Sequence, residues 1–394
     1  MIQNNNIPQG YKKTEIGIIP QEWKVDRLGE ICLTFKSGTT ITSQSIKESG
    51  LYPVYGGNGL RGYTDSYTHN GDYILIGRQG ALCGNINFIR GKAYISEHAI
   101  AVQPNESNSI EFLRYKLDFW NLNRFSESSA QPGLSVEKLV RYKLTVPPLQ
   151  EQRKIAEILG VWDETIEKQS RLIEKLELRK RAIMQRLLTG RTRLPGFTSP
   201  WQKVSYSEIL KEVKRNMTWD DNEEYDLISV KRRSGGLFHR ERILGKDIKT
   251  KNLRPAKLGD FLISKMQIVH GASGLVTEEF DGMKISGSYI ALVAKSREKV
   301  DMNFINWYSQ TPYFYHQTYV SSYGVHIEKM TFDLESFMSM NIMLPPLPEQ
   351  KAIAEVLTTA DDEIATHRKK LDALRLQKRG LMQQLLTGKT RVKI

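Results

Sequence analysis

The chain has 394 residues, 40% of them hydrophobic, and its 57 Lys and Arg residues outnumber its 44 Asp and Glu residues to give a formal charge of +13. This composition is typical of a globular protein with roughly two to three domains. No apolar run approaches the ~18 residues of a membrane span, the first residues do not resemble a signal peptide, and two cysteines exclude a disulfide framework. We therefore expect a cytoplasmic protein, and the positive charge favours a polyanionic partner.

Two short segments with the same pattern open the two halves of the chain. The first follows a polar stretch, residues 1–15, that we expect to be loose; it ends in Trp23, and a Glu-Ile pair begins at Glu30. The second ends in Trp201, and a Glu-Ile pair begins at Glu208, again seven residues after the tryptophan. This spacing indicates that the whole chain is a tandem duplication.

Each opening leads into a long region of short apolar runs separated by Gly, Asn and Ser. Runs bounded by such turn residues predict strands. Two stretches rich in aromatic residues, 110–122 and 304–319, predict helices whose rings belong to the core. The predicted strands are 71–77, 85–89, 93–95 and 142–146 in the first region and 259–264, 274–276, 288–293 and 340–344 in the second.

These two long regions are called the variable regions below. Each of them ends in a segment that occurs twice. Residues 147–193 align without a gap to residues 345–391, and about half of the aligned positions are identical. Apolar residues recur there in steps of four and three, the a/d pattern of a coiled coil. Because one exposed seam is unstable in water, each helix needs a partner, and the nearest available partner is the other helix. The predicted seam consists of Ile155, Leu159, Trp162, Ile166, Ile173, Leu176, Ile183 and Leu187 in the first helix and Ile353, Leu357, Ala360, Ile364, Leu371, Leu374, Leu381 and Leu385 in the second.

The two repeats carry the signals that begin and end a helix. Proline and glutamate suit the first turn, where a missing N–H costs little and a carboxylate faces the positive end of the helix dipole. Glycine suits a left-handed C-cap. These signals predict helices of roughly 39 residues, or ~58 Å. The residues concerned are Pro148, Glu151 and Gly190 in the first repeat and Pro348, Glu349 and Gly388 in the second.

Polar residues interrupt the two seams at the same places. The interruptions are Gln169 and Lys180 in the first helix and His367 and Lys378 in the second. If they are buried, they fix the register of the pair at some cost in stability. Alternatively, they lie at the solvated edge of the seam. Three further apolar residues stand off the seam and could cover the variable regions: Ile158, Leu178 and Met184.

Known catalytic motifs are missing from the sequence. It contains no GxxxxGK[ST] phosphate loop, no HExxH zinc pair and no GxSxG nucleophile elbow, and its seven His residues form no ligand-like cluster. The Pro-Pro pairs follow Val146 and Leu344 rather than the Asn or Asp that holds a target amine in amino-methyltransferases. The sequence therefore favours binding over catalysis.

Side chains suited to DNA are concentrated in the loops of the variable regions. Arg and Lys bind guanine edges and phosphates, whereas Gln and Asn bind adenine edges. Any one of these residues could be an ordinary solvated charge, so the prediction depends on the whole set, in which the basic run 231–233 is the strongest local signal. The candidate DNA-binding residues are Lys36, Arg61, Arg78, Gln79, Arg124 and Gln131 in the first region and Lys231, Arg232, Arg233, His239, Arg240, Lys265, Gln267 and His326 in the second.

Taken together, these features resemble the DNA-specificity subunit of type I restriction-modification systems. The resemblance is carried by the Pro-Pro-Leu-x-Glu-Gln start and the Leu-Leu-Thr-Gly-Lys/Arg-Thr-Arg end of each repeat, by the tryptophan openings and by the duplicated layout, and it covers essentially the whole chain. It implies an α+β fold: a tandem duplication of a mixed α/β target-recognition domain followed by a long helix, with the two helices pairing as an antiparallel coiled coil. The implied target-recognition domains are 1–146 and 194–344, and the implied helical spacers are 147–193 and 345–394.

The resemblance also implies a function and partners. Each recognition domain would read one half of a split target in double-stranded DNA, and the paired helices would fix the gap between the half-sites. Two methyltransferase subunits would bind the helical regions, and restriction subunits, which act as motor and nuclease, would join them. S-adenosylmethionine, ATP and Mg²⁺ would belong to those partners, so this chain would be non-catalytic, with no cofactor, metal or membrane. Two other hypotheses stay open: a structural coiled-coil protein whose globular domains bind protein, and a stand-alone DNA-modifying enzyme.

Overall fold

The chain, analysed as a computed structural model, folds into two compact units. The first combines the residues up to Ser170 with those from Lys369 onward, and the second runs from Arg171 to Arg368. Each unit therefore contains one variable region and parts of both repeated helices. The boundaries between recognition domains and helical spacers stay predictions. The residues that the structure describes are 7–80, 82–126, 132–249 and 251–393.

Short strands make up most of the regular structure, and two helices of 39 residues are the longest elements. Within the described ranges, no helix is both long and apolar enough to cross a membrane. The strands are β1 (Tyr11–Thr14), β2 (Gly17–Pro20), β3 (Lys24–Arg27), β4 (Cys32–Ser37), β5 (Tyr52–Gly56), β6 (Gly59–Thr64), β7 (His69–Asn70), β8 (Tyr73–Gly77), β9 (Ile86–Ile89), β10 (Lys92–Ile95), β11 (Ala99–Pro104), β12 (Lys143–Val146), β13 (Gln202–Ser205), β14 (Leu210–Glu212), β15 (Glu224–Val230), β16 (Leu237–Leu244), β17 (Leu253–Pro255), β18 (Phe261–Ser264), β19 (Ser273–Leu275), β20 (Lys284–Ser286), β21 (Tyr289–Ala294), β22 (Ser322–Tyr323), β23 (Thr331–Phe332) and β24 (Asn341–Leu344). The helices are α1 (Ile110–Phe119), α2 (Val136–Leu139), α3 (Leu149–Leu187), α4 (Tyr206–Ile209), α5 (Met302–Tyr308), α6 (Pro312–Val320), α7 (Leu334–Met338) and α8 (Leu347–Leu385).

The two units contain the same sheets in the same order. An antiparallel sheet has the order β4-β11-β8-β9 in the first unit and β14-β21-β18-β19 in the second. The other four-stranded sheet has the order β6-β5-β10-β7 and β16-β15-β20-β17, and in each unit it contains one parallel pair, β5 with β10 and β15 with β20. The predicted α+β fold with a duplicated recognition domain is therefore confirmed.

Strand β8 shows how apolar side chains hold these sheets. Neighbouring side chains of a strand face opposite sides, and here Ile74 and Ile76 pack with Leu113 of α1, whereas Leu75 packs with Ile95 of the other sheet. The side chains of Ile74, Leu75 and Ile76 are at most 1% exposed. Because both faces are covered, the strand has a continuous apolar sequence instead of an alternating one.

Two expectations from the sequence are wrong in detail. The stretch before residue 15 is not all loose, because β1 pairs with β2 and the Tyr11 hydroxyl donates to the Gly388 carbonyl oxygen at 2.9 Å. The single helix predicted over 304–319 is two helices: α5 ends at Tyr308, and Pro312 begins α6 in the first-turn position that suits proline. The helix predicted from residue 110 and all eight predicted strands are present, with bounds shifted by a few residues.

Two-stranded sheets connect the tryptophan openings to the starts of the long helices. Strand β3 pairs with β12, and β13 pairs with β24, so each opening lies beside the strand that leads into the Pro-Pro pair. As a result, Trp23 is buried next to the start of α3, and Trp201 is partly buried next to the start of α8.

The long helices run in opposite directions where they pair. As the residue number on α3 rises, the number of its partner on α8 falls, and every predicted seam residue is buried or half-buried. The expected antiparallel coiled coil is therefore present. Interhelical ion pairs among the described residues include Asp163–Lys378 in the first unit and Glu177–Arg368 and Lys180–Asp361 in the second.

The lysines that interrupt the seam are largely buried rather than solvated. Lys180 binds Asp361, and its ammonium lies 4.6 Å from the centre of the Trp307 ring. Lys378 lies 2.5 Å from Asp163, and its ammonium is 5.1 Å from the ring of the tyrosine in α1. Each ammonium thus exchanges water for a carboxylate and an aromatic face, which makes the partial burial of its charge tolerable.

The other residues singled out on the helices differ in burial. Gln169 is buried and His367 half-buried. Ile158 and Met184 pack against the apolar clusters of the first and second unit, as the sequence suggested. Leu178 does not, because its side chain is 58% exposed.

A buried carboxylate joins the start of α8 to the end of α3 in the second unit. Glu349 is fully buried; its Oε1 accepts from Arg193 Nε at 2.5 Å, and its Oε2 accepts from Arg193 Nη2 at 2.6 Å and from Trp201 Nε1 at 3.0 Å. The arginine follows Gly190, whose φ of 68° ends α3 in the left-handed conformation. This fork-like pairing is among the stronger hydrogen-bonding arrangements in proteins, and it raises the pKa of Arg193.

The first unit repeats this arrangement with the helices exchanged. Glu151, at the start of α3, is fully buried and accepts from Arg391 at 2.7 and 3.0 Å and from Trp23 Nε1 at 3.0 Å. Hydrogen bonds to Glu151 and then to Glu22 raise the pKa of Arg391. The Glu, Trp and Arg that recur in the sequence are therefore one set of partners in the fold.

The glutamine beside each buried glutamate completes the helix start. Gln152 Oε1 accepts from the Ser109 N–H at 2.9 Å, and its Nε2 donates to the Pro147 carbonyl oxygen at 2.9 Å. Gln350 makes the equivalent two contacts in the second unit. These bonds satisfy buried polar groups that would otherwise destabilise the fold.

A buried lysine in the first unit adds a contact that has no counterpart among the described residues of the second unit. Lys116 of α1 donates to the Leu386 carbonyl oxygen at 2.5 Å and to Thr145 Oγ1 at 2.7 Å. Burial lowers the pKa of Lys116 to about 7. The equivalent position of α5 is Tyr308. Both units therefore hold the end of a long helix through a buried glutamate, but the side chains around that glutamate differ.

We predict that Glu349→Gln lowers the free energy of unfolding by about 2 kcal/mol, because a neutral amide binds the guanidinium more weakly and turns its own N–H groups towards one of the donors. Urea denaturation followed by circular dichroism measures the change. Glu355→Gln, on the exposed face of the same helix, is the control and should change the value by less than about 0.5 kcal/mol. Equal effects of the two substitutions would contradict the role given to the buried carboxylate.

Candidate nucleic-acid interface

Loops at the ends of the strands form an equivalent edge in each unit. In the first unit the turn between β5 and β6 lies beside the loop after β8, and in the second unit the turn between β15 and β16 lies beside the loop after β18. The first edge is defined as residues 56–61, 78–80 and 97–98, and the second edge as residues 231–236 and 265–272. Because the sheets have the same order, the two edges occupy the same place in their units.

Two glycines allow the loops of the first edge to pack closely. A Cβ on Gly57 would lie 2.7 Å from the His98 carbonyl oxygen, and one on Gly77 would lie 2.5 Å from the carbonyl oxygen of Gly57. Any side chain at these positions would therefore force the loops apart. The backbone of Arg78 completes the contact, since its N–H donates to His98 and its carbonyl oxygen accepts from the Leu134 N–H, both at 2.9 Å.

Three of the predicted DNA-binding residues come together at the first edge. Gln79 is exposed, and its Oε1 lies 3.0 Å from Nδ1 of His98. Arg61 is exposed and lies against Gly56. Arg78 is half-exposed, and its guanidinium has no hydrogen bond or ion pair with any described residue. The first edge thus offers two arginines and one amide to a ligand.

The second edge holds an arginine in a constrained backbone conformation. Arg233 and Ser234 have φ values of 59° and 54°, which residues other than glycine seldom adopt. Their N–H groups donate to the carbonyl oxygens of His270 at 2.7 Å and Gly271 at 2.9 Å. These two bonds offset the backbone strain. The side chain of Arg233 is exposed and, within the described part of the chain, makes no hydrogen bond or ion pair.

The neighbouring residues of the second edge form a polar network. Arg232 donates to Gln267 Oε1 at 2.6 Å and to Glu328 Oε2 at 2.9 Å. The ammonium of Lys231 lies 5.5 Å from the centre of an adjacent phenylalanine ring. Gln267 and Gln79 occupy the same position in the two units, six residues after the aromatic residue of the Gly-Asp-aromatic sequence. An amide flanked by a basic side chain is therefore common to both edges.

Several predicted residues lie away from the edges. Lys36 is exposed on β4, and Arg124 is exposed with its guanidinium 4.6 Å from the centre of the adjacent phenylalanine ring. On β16, His239 lies 2.9 Å from an aspartate of β15, and Arg240 forms an ion pair with the next residue at 2.7 Å. The structure does not bring these four residues together with the edges, and their contact with DNA stays a prediction.

The remaining candidates adjoin the second edge or lie outside the described residues. The Lys265 N–H donates to the Ser288 carbonyl oxygen at 2.9 Å, which ties the second edge to the turn between β20 and β21. His326 is exposed two residues before Glu328. Gln131 lies outside the described residues. His98 and Glu328 were not predicted from the sequence, because each contacts an edge residue that is distant from it in the sequence.

A family comparison accounts for both the duplication and the helices. The family described as "Type I restriction modification DNA specificity domain" matches the chain twice, over residues 20–178 and 198–376. The chain belongs to this family. It is thus a DNA specificity subunit with two recognition domains, and the resemblance drawn from the repeated motifs is confirmed.

Relatives of the specificity subunit match it in part or over its full length. It is 43% identical over 146 residues to the type I restriction enzyme EcoprrI specificity subunit of Escherichia coli, and that match spans 36% of each protein. It is 26% identical to the putative type I restriction enzyme MjaX specificity subunit of Methanocaldococcus jannaschii, over 98% of this chain and 97% of that one. The second match shows that the whole layout is shared.

Solved structures show the same fold at low sequence identity. The S subunit of a type I restriction-modification system from M. genitalium has a TM-score of 0.61 at 14% identity, covering 98% of both chains. A chain from work on complex assembly and conformational transition of the type I R-M system has a TM-score of 0.58 at 18% identity, covering 94% of this chain and 99% of that chain. The fold persists although most side chains differ.

We predict that Arg78→Ala alters recognition at one half of the DNA target and that Arg233→Ala alters the other half. Losing one bidentate contact to a base should cost ~1–3 kcal/mol and relax one position of the target. Binding to a panel of DNA duplexes, each varied at one position and measured at fixed salt, gives the result. Arg297→Ala, an exposed arginine outside both edges, is the control, and a loss of affinity as large as that of Arg233→Ala would argue against the second edge.

Proposed function

We propose that this specificity subunit reads a split target in double-stranded DNA, with one half-site bound at each edge. The observation that carries the proposal is the recurrence of one loop edge, at the same place in each unit, with different side chains. Two identical edges would read a symmetric target, whereas two different edges read two different half-sites. The basic side chains stand at different positions, Arg61 and Arg78 at the first edge and Arg232 and Arg233 at the second, whereas Gln79 and Gln267 occupy the same position in both.

The charge of the chain supports DNA as the ligand. A formal charge of +13 favours binding to phosphates, which provides affinity and makes it salt-dependent. The exposed arginines and amides of the edges then add sequence selection through base contacts. Arg232 pairs with Glu328 at 2.9 Å when no DNA is bound. This exposed ion pair is worth at most about 1 kcal/mol, so a DNA phosphate or base edge can replace the carboxylate.

We assign the gap between the half-sites to the paired helices. Both α3 and α8 contribute residues to each of the two units. Their lengths are equal, at 39 residues, and both ends of the pairing are held by buried carboxylates. A spacer of fixed length and register follows from these features.

The catalytic steps are assigned to partner subunits. Two methyltransferase subunits using S-adenosylmethionine would bind the helical regions, and restriction subunits using ATP and Mg²⁺ would join that complex. The chain itself would act in the cytoplasm and supply the DNA address. Its two-fold repetition supports two copies of the methyltransferase subunit, because a partner present twice needs two equivalent places to bind.

A methylome tests the proposed function. The chain is co-expressed with the methyltransferase subunit of its own system, and the host DNA is sequenced for N6-methyladenine. We expect a split motif of two short, different half-sites separated by a fixed gap. A continuous motif would refute the spacer, and absence of methylation from an assembled, folded complex would refute the assignment to DNA methylation.

We predict that a matched insertion of one heptad into both helices lengthens the gap and leaves both half-sites unchanged. Seven residues add ~10 Å to a helix, which corresponds to about three base pairs at ~3.4 Å each. The insertions are placed after Ser170 in α3 and after Arg368 in α8, where the two units meet in sequence. An altered half-site in the methylome would show that the helices do more than separate the edges.

A further inference from the structure

A cavity of the first unit is lined by residues of α1, of strand β12 and of the segment that follows α8. Its volume of about 410 Å³ lies within the ~300–1,000 Å³ of pockets that bind small molecules. We call this cavity the basic pocket, because four of its described lining residues are basic and none of them is an aspartate or a glutamate. The four basic residues are Lys116, Arg124, Lys143 and Lys389.

The buried lysine of the basic pocket has no counter-ion. Lys116 is only 3% exposed, and its ammonium donates to the Thr145 hydroxyl and to the Leu386 carbonyl oxygen. Both acceptors are neutral, and Lys116 forms no ion pair with any residue in the described ranges. A buried charge without a counter-ion is costly. Because an ammonium has three N–H donors, these two bonds leave one donor for a further acceptor.

The second unit shows that the fold does not require this lysine. The equivalent positions there are Tyr308 in place of Lys116 and Met343 in place of Thr145. Both of them line the corresponding cavity, which has a volume of about 610 Å³. The lysine and the threonine that accepts from it are thus replaced together, by an aromatic and an apolar residue. The polar pair of the first unit therefore serves a need other than the packing that the two units share.

Three further cations line the basic pocket. Lys143 forms an ion pair with Glu15 at 2.6 Å, which balances its charge. Arg124 and Lys389 are exposed, and neither forms an ion pair with a residue that the structure describes. Together with Lys116, these two side chains leave an excess of positive charge, which an anion of more than one charge would balance.

Three aromatic rings in the lining of the basic pocket pack together. The centre of the Phe125 ring lies 4.2 Å from that of Tyr142 and 6.5 Å from that of Trp120. The Arg124 guanidinium lies 4.6 Å from the centre of the Phe125 ring. All three rings are half-buried, so each keeps a surface that a ligand can cover. Nucleic-acid bases stack on such rings whatever their identity, because every base has a flat π face.

We propose that the basic pocket binds a mononucleotide, with the phosphate at Lys116 and the base on the aromatic rings. A phosphate monoester carries nearly two negative charges at neutral pH and three acceptor oxygens, which suits one buried and two unpaired cations. Inorganic phosphate would leave the rings uncovered, and an uncharged aromatic compound would leave Lys116 without a counter-ion.

The mononucleotide site is distinct from the DNA interface proposed above. None of its described lining residues belongs to the first edge, and its binding does not depend on how the edges read DNA. It also assigns a ligand to Arg124, which the sequence predicted to bind DNA but which lies away from the edges. The second unit, with Tyr308 and Met343 at the equivalent positions, is not expected to bind the phosphate, so one nucleotide should bind per chain.

Calorimetric titration of the full chain with AMP tests the site, and inorganic phosphate and adenosine represent the two halves of that probe. We expect AMP to bind about tenfold or more tightly than either half, because only AMP provides both the charge and the ring. Absence of AMP binding, or equal affinities for AMP and inorganic phosphate, would overturn the proposal. Displacement of AMP by a DNA duplex would assign the pocket to the DNA interface and would overturn it as well.

Substitutions of exposed residues locate the binding without disturbing the core. Arg124→Ala and Lys389→Ala should each weaken AMP binding roughly threefold to tenfold, and Lys116→Met, which removes the buried charge, should weaken it most. Arg141→Ala is the control, since Arg141 is exposed and adjoins a lining residue in sequence but does not line the pocket. An equal loss in the control would show a general effect of charge and overturn the site. Wild-type affinity in both Arg124→Ala and Lys389→Ala would also overturn it, even if Lys116→Met did not fold.

The pH dependence of AMP binding gives a readout that a purely structural lysine would not change. Burial lowers the pKa of Lys116 to about 7, and a phosphate binds the charged form of the lysine. Above about pH 7.5 the phosphate of AMP is almost fully ionised, so its affinity should fall by up to about tenfold per pH unit as Lys116 loses its proton. The other titratable side chains in the lining are lysine, arginine and tyrosine, which ordinarily titrate above about pH 9. The same fall in a folded Lys116→Met variant would overturn the role given to this lysine.

Discussion

The fold depends on two carboxylates that are fully buried. An ionised carboxylate without partners costs several kcal/mol in a protein interior, so Glu151 and Glu349 require the three donors that surround each of them. Those donors come from the tryptophan of the preceding opening and from the arginine beyond the end of the other long helix. Each helix start is therefore complete only when the other helix has reached its end. A slip of one heptad along the seam would carry each guanidinium ~10 Å away and leave both carboxylates buried without their arginines.

The loops of the two recognition edges are held by different interactions from those that hold the starts of the long helices. Their loops are held by backbone hydrogen bonds and by close glycine contacts, as at Gly57 and Gly77, rather than by the side chains that face solvent. The backbone N–H groups of Arg233 and Ser234 each donate to one carbonyl oxygen, whatever the arginine side chain does. Side chains at the edges can therefore change without disturbing the sheets beneath them. This separation explains how two units of one topology come to present different residues.

The helices, their caps and the seam could be predicted because their signals are local and periodic. The same is true of most strands, which are apolar runs between turn residues. Whether the lysines that interrupt the seam are buried or solvated could not be predicted, because the aromatic ring that covers Lys180 belongs to Trp307, which is far away in the sequence. The edges were found only in part: Arg78 and Gln79 follow a predicted strand directly, but the partners of Arg232 lie 35 and 96 residues further on. The break at Pro312 had a local signal, a Thr-Pro pair, and could have been identified from the sequence.

The first unit consists of two separate stretches of the chain, and this has a consequence for its synthesis on the ribosome. Domains generally fold in the order in which they are made, at roughly 5–20 residues per second. The second unit is continuous in sequence and can close as soon as it emerges, whereas the first lacks the residues from Lys369 onward until the whole second unit has been translated. For roughly 10–40 s at that rate, Trp23, Ile155 and Leu159 wait without Leu385 and Leu386, with which they share an apolar cluster. The first half to be translated is thus the last to be completed, and its exposed apolar face during that interval is where a chaperone would bind the nascent chain.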